Sequence, residues 1–110
     1  MDKSPSYPQN FLEYQHLFPR LFELAEEYAR EARTNGPLDE KTTHLIQLAA
    51  AIAIRSVGAV HSHVRRAIEA GARPEEIFHV VNLMVSTLGF PAAASAFSWV
   101  NDVLRKMEKP

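Results

Sequence analysis

From residue 11 to its end, the chain repeats apolar residues at steps of three and four, and no run alternates apolar with polar as a half-buried strand does. That periodicity makes the fold class all-α, with about six helices forming a bundle. Turn signals set the boundaries. Asn10 followed by Glu13 fits an N-cap that opens a first short helix, which Pro19 ends or kinks into a second. The second helix stops near Thr34, before Asn35-Gly36-Pro37. Asp39 caps a third helix running through Ala53 or Ser56, and Gly58 separates or kinks it from a fourth that ends at Gly71. Pro74 with Glu75 and Glu76 suits the first turn of a fifth helix, which ends at Gly89, and Pro91 opens the sixth. The tail from Arg105 to Pro110 is expected to fray. There is no internal repeat, low-complexity tract or linker, so residues 1–110 read as a single domain.

The fifth and sixth helices constrain assembly. Val80 to Leu88 is apolar around most of its circumference, and Ala92, Ala93, Ala94, Ala96, Phe97, Trp99 and Val100 follow it. A helix apolar all round is buried on more than one side. A chain of 110 residues has too little volume to enclose two such helices, so one face is expected to meet a second copy. A membrane span fits less well, because Gly89-Phe90-Pro91 interrupts the run well short of the ~20 residues a span needs.

The net charge of -1 gives no reason to expect nucleic acid or an anionic membrane as partner. The absence of cysteine removes disulfides and thiolate metal sites together, and Met1 to Ser6 lacks the apolar run of a signal peptide, so the expected location is cytoplasmic. Charge is nonetheless uneven. Between Lys41 and Pro74, five basic residues (Lys41, Arg55, Arg65, Arg66 and Arg73) face one carboxylate, Glu69, which suits a small anionic substrate.

Acid–base chemistry near neutral pH falls to the five histidines, His16, His44, His61, His63 and His79. Ser56, Ala59, His63, Arg66 and Ala67 share one helical face if the helix is continuous, so Arg66 sits one turn from His63. His61 and His63 lie about 200° apart on a helix, which prevents one ion from taking both. His61 is accordingly expected at a surface or interface.

The segment Ser56-Val57-Gly58-Ala59-Val60-His61-Ser62-His63-Val64-Arg65-Arg66-Ala67, continuing to Gly71, resembles the core motif of the alkylhydroperoxidase D and carboxymuconolactone decarboxylase family with both cysteines replaced, by Ser56 and Ala59. Pro74-Glu75-Glu76-Ile77 and Gly89-Phe90-Pro91-Ala92-Ala93 resemble the family's downstream half, and His63-Val64-Arg65-Arg66-Ala67 matches the spelling of its decarboxylase branch. The resemblance implies an alkylhydroperoxidase D-like helical bundle, assembled as a homotrimer or homohexamer. It places His63 at the family's active-site histidine. It also puts His44 and His79 where relatives carry glutamates, a change that keeps proton-transfer groups while removing negative charge.

A hydroxyl and a methyl cannot cycle between dithiol and disulfide, so thiol peroxidase chemistry is not expected. The function expected is decarboxylase-type lyase chemistry on a small carboxylic acid. His63, His44 and Ser56 are the catalytic candidates; Arg66, Arg55 and His79 are the substrate-binding ones. No cofactor and no metal is called for. Two alternatives stand beside this reading: a non-catalytic oligomeric binding protein on the same scaffold, and a metal enzyme in which His44, His63 and His79 converge on zinc or iron.

Overall fold

The computed structural model describes residues 9–108, and these form two compact units, one ending at Asp39 and the other beginning at Glu40. The opening residues, expected to carry no signal peptide, lie outside the described part. Six helices are present, as the periodicity requires, and no strand occurs among the described residues.

The first unit contains α1 (Gln9–Leu17) and α2 (Pro19–Thr34). Asn10 lies inside α1 and is not its cap. Pro19 falls in the first turn of α2, where its missing N–H removes no intrahelical bond. Phe11 and Phe22 join the two helices edge to face, with ring centroids 5.2 Å apart. Neither helix has a buried residue.

The second unit holds α3 (Glu40–Ala53), α4 (Val57–Glu69), α5 (Pro74–Leu88) and α6 (Phe90–Glu108). Helix α6 continues through Arg105 to Glu108, where fraying was expected. The main packing partners are α3 with α4 and α5 with α6; α4 also packs on α6, and α3 on α5. Three- and four-residue steps place His44, Leu48, Ala51 and Ile52 inward on α3, and Val60, Val64 and Ala67 inward on α4. On α5, Ile77 and Val81 are buried, and on α6 Ala93, Ala96, Val100, Val103 and Leu104. Each fully buried Leu, Ile or Val contributes about 1.5–3 kcal/mol. The only buried polar or charged residue among those described is His44.

Two helix ends explain how the site segment is cut. After α3, Ser56 N–H donates to Ala51 O at 3.0 Å and Arg55 N–H to Ile52 O at 3.0 Å, with Arg55 in left-handed backbone at φ 59. After α4, Ala72 N–H donates to Ala67 O at 2.9 Å and Gly71 N–H to Ile68 O at 3.0 Å, with Gly71 at φ 106. Both are Schellman closures. The second uses glycine; the first uses arginine. The break between α3 and α4 therefore falls at residues 54–56, and Gly58, expected to mark it, lies inside the first turn of α4.

Lys41 Nζ at the start of α3 donates to Glu76 Oε2 in the first turn of α5 at 3.0 Å, and Glu76 Oε1 accepts from Arg73 N–H at 2.8 Å. Glu76 thus caps α5 and ties it to α3, and these contacts hold its carboxyl below its ordinary pKa, the Arg73 amide contributing most.

Candidate functional site

The α3–α4 packing brings two histidines together. His44, 1 % exposed on α3, places Nδ1 3.3 Å from Nδ1 of half-buried His63 on α4, with the rings tilted at 40° and their centroids 5.5 Å apart. For a hydrogen bond between like nitrogens, one ring carries hydrogen on Nδ1 and the other presents a lone pair there. When both rings are neutral they are therefore opposite tautomers. A proton moving along this contact passes from one histidine to the other, whereas two protons on the facing nitrogens would set N–H against N–H.

Ser56 precedes α4 as its N-cap, and its Oγ accepts from Ala59 N–H at 3.4 Å. Helix α4 starts at Val57, so Ala59, His63, Arg66 and Ala67 share its expected face while Ser56 stands just before it as the cap. The Ser56 oxygen serves the backbone, while its O–H retains the capacity to donate. Ala59 follows, half-buried, in the first turn. Arg66 is half-buried, one turn beyond His63 on α4.

Arg55 and His79 are placed elsewhere. The Arg55 guanidinium lies over Trp99 of α6, 5.7 Å from the ring centroid, in a cation–π contact. His79 is exposed on α5. No three His, Asp or Glu side chains among the described residues are grouped as ligands of one ion, so the convergence of His44, His63 and His79 on a metal does not form within this chain. His61 is half-buried, and its pKa is lowered first by burial and then by Arg65 and Lys106, with Asp102 opposing.

One polar group here was not anticipated. Gln47, one turn after His44 on α3, has a buried amide oxygen without a hydrogen-bond partner. Its spacing from His44 could have revealed it, since residues three apart on a helix are neighbours.

The sequence itself matches a known family. Residues 19–102 fit the model of the carboxymuconolactone decarboxylase family, and the chain belongs to that family. The fold is also similar to that of apo-lpg0406, a carboxymuconolactone decarboxylase family protein from Legionella pneumophila. The TM-score is 0.77 at 24% sequence identity, covering 91% of this chain and 88% of that one. No curated protein matches the sequence.

Proposed function

We propose that this family member performs decarboxylase-type acid–base chemistry on a small carboxylic acid, with His63 exchanging the proton and His44 behind it. The observation that carries this reading is the 3.3 Å contact between the two Nδ1 atoms. When the carbon–carboxylate bond breaks, carbon dioxide leaves and the electron pair stays on the former α-carbon, delocalised into an adjacent unsaturated group. His63, as the imidazolium, then gives that carbon its Nε2 proton and is left as the neutral Nδ1–H tautomer, whose N–H donates to His44 Nδ1. The half-buried ring regains its proton from solvent. Arg66, one turn away, supplies positive charge for the substrate carboxylate, and Ser56 offers its O–H. The chemistry uses no sulfur, since the chain has no cysteine.

Self-assembly as a homotrimer or homohexamer belongs to the same proposal, as does a cytoplasmic location. Assembly is supported by the apolar surface of the second unit, where Val85, Phe90 and Phe97 are exposed around a cavity of about 280 Å³ between α5 and α6. No helix among the described residues is long and apolar enough to cross a membrane.

A screen of small unsaturated and cyclic carboxylic acids for carbon dioxide release, with His63→Ala as control, tests the reading. Release that depends on His63 supports it. Ligand binding that depends on His63 without release from any acid would instead identify a non-catalytic binding protein on this scaffold.

A further inference from the structure

Gln47 Oε1 is the sole side-chain nitrogen or oxygen among the described residues that is buried without a hydrogen-bond partner. Leaving such an acceptor unmade costs the full desolvation of the group, so each buried orphan needs a reason. Its place supplies one. Gln47 stands three residues after His44 on α3, on the side of the helix that carries the buried residues His44, Leu48 and Ala51. Because α3 and α4 are joined by the short turn at residues 54–56 and His44 meets His63, one turn along α3 from His44 comes level with Val60 of α4. Gln47 therefore stands one turn along α3 from the histidine pair, toward the end of the helix pair that carries the α3–α4 turn and Ser56.

We propose that Gln47 is a substrate-positioning residue of this site and that its amide oxygen accepts a hydrogen bond from a hydroxyl of the substrate. This rests on the small-acid reading above and narrows it. A carboxylate has no proton to give to Oε1, so the group that meets Gln47 is a second one, separate from the carboxylate that Arg66 attracts. The substrate class is a small carboxylic acid bearing a hydroxyl, or an equivalent N–H, away from the carboxylate.

The test uses butyrate and 3-hydroxybutyrate as probes. They differ by one hydroxyl on a flexible chain, and their binding to the full-length protein is followed by NMR chemical-shift titration. The wild type is expected to prefer 3-hydroxybutyrate by roughly tenfold, the worth of one net hydrogen bond. Gln47→Met removes the acceptor at similar volume and is expected to abolish that preference while leaving butyrate affinity and melting temperature no lower than in the wild type. Gln47→Glu keeps an acceptor, so it weakens both acids through like charge yet preserves their ratio.

Equal affinities for the two acids in the wild type, or a preference that survives Gln47→Met, would overturn the assignment and leave Oε1 to a buried water. Failure of either acid to bind at millimolar concentration, or loss of helical content in Gln47→Met, would overturn it as well. Carbon dioxide release is not read in this titration. Failure of the decarboxylase reading is therefore distinguishable from failure of Gln47.

Discussion

His44 and His63 face each other through like nitrogens, Nδ1 to Nδ1 at 3.3 Å, and His44 is the ring sealed from solvent. The pair thus has an inner ring and an outer one, and the outer one is the ring that a substrate can reach in the proposed reaction. Truncating the outer ring, His63→Ala, is expected to lower kcat/KM by about 10²–10⁴, the range for loss of a general acid–base group. It also removes a partner of buried His44, a stability cost of about 1–3 kcal/mol that leaves helical content intact. His61→Ala, whose ring interacts with Arg65, Lys106 and Asp102, is expected to change turnover far less. Equal losses in the two variants, measured alongside circular dichroism, would remove His63 from its role.

Peroxidase turnover with an organic hydroperoxide and a dithiol donor is expected to stay at the no-enzyme blank, because Ser56 and Ala59 stand at the two thiol positions. Restoring both as cysteine is expected to leave activity weak, since His44 occupies the place of the relatives' proton-relay glutamate. An activity assay on metal-free protein checks both expectations.

His61 gives a pH dependence whose sign is fixed. Burial and the Arg65 and Lys106 charges lower its pKa in the folded state from the ordinary 6.5, with Asp102 opposing. In the window from 6.5 down to that lowered value, the unfolded chain binds more protons, so stability falls as pH falls through it. The ring is only half-buried, which keeps the effect modest. Urea titrations across this window are expected to show a smaller slope of stability against pH for His61→Asn than for the wild type. An unchanged slope would place the titration on other groups.

Arg55 and Gly71 occupy equivalent positions in two Schellman closures, and only one of them is a glycine. A left-handed non-glycine residue costs about 1–2 kcal/mol, and the Arg55 contact with Trp99 offsets about 0.5–1 kcal/mol of this if the pair is solvent-exposed. Arg55→Gly is therefore expected to lie within about 1 kcal/mol of the wild type. Gly71→Ala meets no atom within 4 Å yet pays the backbone strain, so a loss of about 1–2 kcal/mol is expected. Thermal denaturation of the two variants compares them directly.

That contrast also shows what the sequence can and cannot reveal. Helix boundaries at Pro19, Thr34, Gly71, Pro74 and Gly89 follow from residues whose backbone restrictions are intrinsic, and all appear where the residues place them. The α3–α4 break was misplaced at Gly58 because Arg55 carries no local sign of a left-handed conformation, which is imposed by the closure bonds and accompanied by the contact with Trp99, 44 residues away in sequence. At the site, motif spacing brought out His63, and the family correspondence brought out His44. Their meeting depends on how two helices pack, as does the exposure of His79. Gln47 was missed because an amide carries no charge or sulfur to draw the eye, and only burial makes its oxygen an orphan.

Assembly supplies the last expectation. Phe90 is 69% exposed, Phe97 46% and Val85 39%, and together they form an apolar surface around the α5–α6 cavity. Covering a side chain such as Phe90 gains about 1.5–3 kcal/mol, enough for a few such residues to hold a second copy. Two alanines separate assembly from folding. Ala94 is exposed and lines the cavity, whereas Ala96 is 0% exposed within the core. Ala94→Glu places a charge on the proposed contact surface, so it is expected to shift the protein to smaller species while circular dichroism stays unchanged. Ala96→Glu buries an unpaired carboxylate and is expected to unfold the second unit. Light scattering showing a monomeric wild type at micromolar concentration would refute the assembly. Normal assembly of Ala94→Glu would move the contact away from the α5–α6 surface.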